Sequence, residues 1–394
     1  MTETEPDTPT YRGPAFLSYG FRPFFLSAAL FAGLAVPAWV LILSGAGQSS
    51  FFYPPREWHV HEMLFGFLPA VMTGFLLTAI PSWTDRPPVR GMSLLLMLLV
   101  WLAGRLAIAV PWPAPLMIGV VDGAFLILLA TIVWREIAAA KAWDRSPIGV
   151  LIGLYASANI LFHVLALRGA ETDIPERMAF AFIMLLLTLI GGRVTPTFTG
   201  EYLASQGIAG QSPSFSPIDR LSIALAGMAA VAWIAQPQAT ATGWILAAAG
   251  AANSVRLSRW RGWVTWHEPL VLILHVGYGW LALSMLALGT AILGLGLRPA
   301  DAVHALTTGA VGSMTLAIMT RATLGHTGRP RHADSMTVMI YFLVNLGALV
   351  RVFGTTTGLS TNLLLSLAAA AWSSAYLLFA IIYGPFLSRP GLDE

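Results

Sequence analysis

Two histidines and a glutamate stand together in Trp58-His59-Val60-His61-Glu62-Met63, at the start of the apolar run from Leu64 to Ile80. Titratable side chains at a lipid boundary are costly, so they are kept there mainly for function. Three further histidines, His163, His275 and His304, also lie within or at the edge of apolar runs. Because imidazole commonly binds transition metals and haem iron, this pattern predicts a metal or haem protein.

The composition places these histidines in a membrane. Of the 394 residues, 56% are hydrophobic and only 10% are charged, whereas a soluble domain is typically about 25% charged. The mean hydropathy is +0.72. The net charge of +3 comes from arginines in predicted loops, so we expect a lipid bilayer around the chain and no nucleic-acid partner.

The absence of cysteine narrows the possible cofactors. It excludes disulfides, cysteine-ligated iron–sulfur clusters and the covalent attachment of haem through Cys-x-x-Cys-His. Any haem must therefore be a non-covalent haem b held by histidine or methionine. Any copper site must use histidine, methionine or carboxylate ligands, which excludes a thiolate blue-copper centre.

The predicted fold is all-α, a polytopic membrane bundle of about twelve transmembrane helices within residues 23–385. Each helix needs about 20 apolar residues to cross a bilayer, and the runs found are 23–43, 61–81, 92–110, 115–134, 147–167, 178–198, 218–235, 240–257, 267–293, 302–322, 335–354 and 361–385. A polar linker, 199–217, separates two halves, 23–198 and 218–385, although no convincing sequence repeat relates them. Tails 1–22 and 386–394 flank the bundle.

The distribution of arginine and lysine predicts the orientation of the bundle. With the amino terminus inside, sixteen basic residues fall on the cytoplasmic side and four on the outer side. Such an excess is typical of cytoplasmic loops, so we expect both tails to be cytoplasmic.

This orientation places the histidines by depth. Four of them lie at one level near the outer face: His59, His61, His163 and His304. We predict that these four hold a single metal centre. Three others lie deeper or near the inner face and are predicted to form or support a second site: His267, His275 and His326. His332 falls in a polar loop and is expected to be solvated.

Some of these histidines have a second interpretation. His59 could simply anchor the interface beside Trp58, and for His267 and His326 hydrogen bonding within arginine-rich loops stays open. Residues two apart on a helix point about 200° apart. His59 and His61 can therefore share one metal only if the helix begins at His61.

Three charged residues accompany the histidines. Glu62 is the candidate catalytic residue, because a carboxylate beside His61 can orient the imidazole or relay protons. Glu268 follows His267 and is expected to complement a helix dipole. Arg105 has no acid nearby in sequence, so we expect it to pair with Asp122 or with a haem propionate, which makes it a candidate cofactor-binding residue.

Several segments resemble the signature of the NnrS family, and they cover nearly the whole chain in order. They are Phe21-Arg22-Pro23-Phe24-Phe25, 58–66, 74–81, Gly191-Gly192-Arg193-Val194-Thr195-Pro196, 304–310 and 314–329, which ends Thr320-Arg321-Ala322-Thr323-Leu324-Gly325-His326-Thr327-Gly328-Arg329. The resemblance implies a bacterial inner-membrane protein with twelve spans that contains haem and copper. It also implies an association with denitrification and nitric oxide tolerance.

The leading functional prediction is therefore an integral membrane protein whose histidines bind haem b and copper and which handles nitric oxide or relieves nitrosative stress. A nitric oxide-reacting oxidoreductase, a scavenger and a sensor all stay open. The alternative from another class is a cofactor-free transporter of twelve spans whose histidines relay protons.

Overall fold

A computed structural model of the chain describes residues 11–45, 52–110, 114–208 and 214–392, and every regular element among them is helical. Twelve long helices follow one another: α1 (Phe21–Leu43), α2 (Pro55–Thr84), α3 (Met92–Ala109), α4 (Pro115–Ala139), α5 (Ser146–Leu167), α6 (Asp173–Ser205), α7 (Pro217–Ala235), α8 (Thr240–Ser258), α9 (Pro269–Ile292), α10 (Pro299–His326), α11 (Ser335–Phe353) and α12 (Thr361–Ser388). The predicted all-α bundle is confirmed. Parts of both predicted tails, 1–10 and 393–394, and residues 209–213 of the predicted linker lie outside the described residues.

Eleven of these helices are long and apolar enough to cross a membrane. The exception is α8, whose sequence is rich in alanine and contains Asn253 and Arg256. Its 19 residues nevertheless pack along α7 and α9 inside the bundle. The crossing of the membrane by α8 stays a prediction, and so do the orientation of the bundle and its division into two halves. Following the predicted orientation, we call the end that contains His61 and His304 the outer end.

Three of the described helices, spaced four apart along the chain, contain a π-helical segment. The segments are Glu62–Phe67 in α2, Leu187–Gly191 in α6 and Ala305–Val311 in α10. A π segment leaves backbone groups without their α-helical partners and is often found at functional sites. Residues of α2, α6 and α10 line both of the cavities between the helices that are described below. The interior of the bundle is thus built around these three interrupted helices.

The beginning of α2 determines where its histidines point. Pro54 is the extended N-cap residue and Pro55 occupies the first helical turn, a position where proline is favoured because it needs no hydrogen-bonding partner there. The helix therefore starts four residues before His59 rather than at His61. At about 100° per residue, the two imidazoles leave the helix on nearly opposite sides.

Candidate metal and cofactor sites

A group of buried polar side chains lies between α2, α4 and α5 near the outer end. His61, Asp122 and His163 are 0%, 1% and 2% exposed, and one ligand atom from each lies within 4.8 Å of the others. Asp122 Oδ2 is 3.3 Å from His61 Nε2 and 2.8 Å from His163 Nε2. Two imidazoles and one carboxylate at this spacing can hold a transition metal.

A hydrogen-bonding partner at Nδ1 orients each of the two imidazoles. The Nδ1 atom of His61 lies 3.1 Å from Glu62 Oε1, and Nδ1 of His163 lies 2.5 Å from the Tyr53 hydroxyl. When His61 donates Nδ1–H to Glu62, its Nε2 lone pair faces the oxygens of Asp122 and Asn159, at 3.3 and 3.0 Å. These lone pairs repel one another unless Nε2 carries a proton or a metal cation lies between them. The arrangement is the one that carboxylate-oriented metal ligands adopt.

Arg105 joins the two carboxylates of this group. Its Nη1 donates to Glu62 Oε1 at 2.7 Å and its Nη2 donates to Asp122 Oδ1. The structure therefore gives Arg105 the predicted partner Asp122 and adds Glu62. With neutral imidazoles, two carboxylates and one guanidinium leave one uncompensated negative charge in a buried site. A bound cation would neutralise it, and an unpaired buried charge is otherwise very unfavourable.

The π segment of α2 makes room for this arrangement. A side-chain carbon on Gly66 would overlap Arg105 Nη1 and lie 3.2 Å from Glu62 Oε2, so only glycine lets the guanidinium reach the helix. Trp101 Nε1 donates to the Gly66 carbonyl at 2.9 Å, and the Tyr155 hydroxyl donates to the Leu64 carbonyl. The carbonyls of the interrupted helix are thus satisfied from α3 and α5, which holds the site in place.

A second site lies on the other side of α2. An outer cavity, open on one side, is lined by α1, α2, α6, α10, α11 and α12, and both His59 and His304 face it. His59 stacks on Trp39 with ring centroids 4.1 Å apart, and its Nδ1 atom is buried without a hydrogen-bonding partner. His304 Nδ1 donates to the Ala300 carbonyl at 2.6 Å, which leaves the Nε2 lone pair available as a ligand.

The wall of the outer cavity is apolar except at one edge. Met63, Phe67 and Trp372 form part of the wall, and Arg351 lies at its polar edge. The Arg351 guanidinium is held by Asp301 Oδ1 at 2.7 Å. Apolar pockets with a few placed polar groups are typical of cofactor sites.

The remaining predicted histidines do not assemble a second metal group among the described residues. His275 Nε2 lies 2.8 Å from the Thr199 hydroxyl in α6, while its Nδ1 is buried without a partner. His267 is exposed, and His326 packs near Phe21 with ring centroids 5.5 Å apart. Glu268 is the N-cap residue of α9 and accepts a hydrogen bond from the Leu270 amide, a position where an acid complements the helix dipole.

The single outer centre predicted for four histidines is therefore divided in two. His61 and His163 belong to the buried polar group, while His59 and His304 line the outer cavity. Sequence reasoning used Asp122 only as a partner of Arg105 and did not single out Tyr53, Asn159 or Arg351. A lone aspartate in the middle of an apolar run was the one available signal for Asp122 as a candidate metal ligand.

The sequence profile described as NnrS protein matches residues 15–390, nearly the whole chain. The chain belongs to the NnrS family. No curated protein matches it. Two of the segments by which the sequence resembles this family supply the histidines that point into the two sites, His59 and His61 from 58–66 and His304 from 304–310. The NnrS segment 314–329 lies instead at the inner end, beyond both sites.

Proposed function

We propose that this chain is a haem- and copper-containing membrane protein that binds nitric oxide and relieves nitrosative stress, as the NnrS resemblance implies. The observation that carries the proposal is the pair of separate histidine sites on α2, one polar and charged, the other large and apolar. Two sites of such different character suit two different cofactors. We further propose that it lies in the bacterial inner membrane with both tails in the cytoplasm, on the basis of the arginine and lysine asymmetry.

Copper is proposed for the polar site, with His61 Nε2, His163 Nε2 and Asp122 Oδ2 as ligands. Copper binds nitrogen and oxygen donors more tightly than the other divalent first-row metals do. The same set of two histidines and one carboxylate also occurs in non-haem Fe(II) sites, so elemental analysis of the purified protein tests the choice. Glu62 is held by His61 and Arg105, which supports a positioning role rather than direct catalysis.

Haem b is proposed for the outer cavity. His59 Nδ1, which has no hydrogen-bonding partner, and His304 Nε2 would hold a haem against the apolar wall, and Arg351 would pair with a propionate. The haem iron would supply the binding of nitric oxide. The chain's own residues then orient the ligands and exclude water. Because no cysteine can tether the haem, acidic acetone should extract all of it, and haem that stays with the polypeptide would contradict a b-type assignment.

The visible spectrum of the purified full chain tests this function against a cofactor-free transporter. We expect a Soret band, copper in the elemental analysis, and a shift of the Soret band when nitric oxide is added. Colourless, metal-free protein with full helical content would overturn the proposal and support the proton-relay alternative. A Soret band that nitric oxide leaves unchanged would overturn the nitric oxide part alone.

A further inference from the structure

A second cavity opens at the inner end of the bundle, and neither proposed cofactor uses it. This inner vestibule lies between α2, α6 and α10, is open on one side, and has Phe25 of α1 in its wall. Its apolar surface includes Phe75, Phe198 and Ile318. Ile318 precedes His326 by eight residues, so the vestibule reaches roughly 12 Å along α10.

The charged side chains that line the inner vestibule are all positive, and its other polar side chains are neutral. Arg321, His326 and Arg331 line it, and no aspartate or glutamate is among the described residues that do. Arginine inside a membrane bundle is costly and marks ligand sites more often than structure. Concave sites of one charge sign with low-dielectric walls concentrate counter-ions. The vestibule therefore attracts anions.

The two acids near Arg321, Glu201 and Glu268, do not line the vestibule. The Arg321 side chain is 11% exposed, and the ion pair it forms among the described residues, at 3.2 Å, is with Glu201, which is 52% exposed. Such an exposed partner contributes little. The guanidinium also stacks on Phe198, with its carbon 3.8 Å from the ring centroid. This stacking fixes the plane of the guanidinium at the edge of the cavity.

We propose that the inner vestibule binds a small, singly charged, planar oxyanion of the carboxylate type, taken up from the inner side. The guanidinium fork matches two oxygens in one plane, and Arg331 adds charge at the rim. Phenylalanine and isoleucine walls offer no donors to a multiply charged, strongly hydrated anion such as phosphate. The segment Thr320–Arg329, which is part of the NnrS signature, thus supplies the binding residues Arg321 and His326 of a third site.

Calorimetric titration of the purified full chain with sodium formate tests this site. We expect saturable binding to the native chain, and at least tenfold weaker binding to Arg321→Gln. The matched control is Arg193→Gln, which removes an exposed arginine that does not line the vestibule and should leave the affinity unchanged. Arg321→Lys keeps the positive charge but loses the paired N–H donors of the guanidinium. Its affinity for formate should therefore fall between that of the native chain and that of Arg321→Gln.

Thermal unfolding followed by tryptophan fluorescence establishes that each variant is folded. If Arg321→Gln does not fold, Arg331→Gln takes its place, because Arg331 is exposed and also lines the vestibule. Absence of saturable formate binding, or equal binding to the native chain and Arg321→Gln, would overturn the proposal. Chloride binding as tight as formate binding would overturn recognition of a planar anion.

Discussion

His59 and His61 lie two residues apart on α2 and serve different sites. His59 stacks on Trp39 at 4.1 Å in the outer cavity, whereas His61 Nε2 lies 3.3 Å from Asp122 Oδ2 in the buried polar group. The two imidazoles leave α2 on nearly opposite sides, so the width of this helix separates the two sites. Any cofactors held there would lie on either side of α2, close enough for the state of one to influence the other.

The Tyr53 hydroxyl should strengthen metal binding without touching the metal. It lies 2.5 Å from His163 Nδ1 and orients that ring. Loss of such an orienting partner typically weakens metal affinity by about tenfold to a hundredfold. We expect Tyr53→Phe to weaken metal binding by that order in competition with a chelator, while the haem content stays the same. An unchanged metal affinity would show that the hydroxyl has no such role.

Gly66 should be intolerant of even a methyl group. Gly66→Ala places a carbon against Arg105 Nη1, so Arg105 must withdraw from Glu62 or α2 must shift. Overpacking of this kind costs about 1–3 kcal/mol, and we expect a lower thermal unfolding midpoint together with reduced metal retention. Gly227→Ala is the matched control, because nothing lies within 4 Å of the added carbon. Equal behaviour of the two variants would argue against the close approach of Arg105.

Reporter fusions test the orientation of the bundle. We expect fusions after Gln211 and at the carboxyl terminus to report the cytoplasm, since the predicted topology puts sixteen basic residues on that side against four on the other. Gln211 belongs to the predicted linker and lies outside the described residues. A periplasmic signal from either fusion would reverse or break the predicted topology, and with it the side from which the inner vestibule opens.

The position of the histidines along the bundle could be predicted from the sequence, but their direction around each helix could not. The apolar runs and their basic flanks placed His59, His61, His163 and His304 at one level, and the structure keeps all four near the outer end. Which of them share a site depends on where α2 begins and how it turns. Pro54 and Pro55 contained that information, because they start the helix before His59.

Partners from distant helices were harder to predict. Asp122 is one of the two partners predicted for Arg105, the other being a haem propionate, since a membrane arginine needs an acidic partner. Tyr53 and Asn159 contribute through contacts with histidines of other segments, and Arg351 faces the outer cavity from α11. No local sequence pattern reports such contacts. The π segment at Gly66, which allows Arg105 to approach, likewise arises from tertiary contacts with Trp101 and Tyr155.

His59 and His61 are proposed to hold different cofactors. Stoichiometric haem and metal analysis of His59→Ala and His61→Ala tests this most directly. His61→Ala should lose the metal and keep the haem, because His61 is a ligand only in the polar group. His59→Ala should lose or loosen the haem and keep the metal. His332→Ala is the control and should retain both, since its side chain is 72% exposed. Loss of the same cofactor from both variants, or loss of haem from His61→Ala alone, would contradict the account.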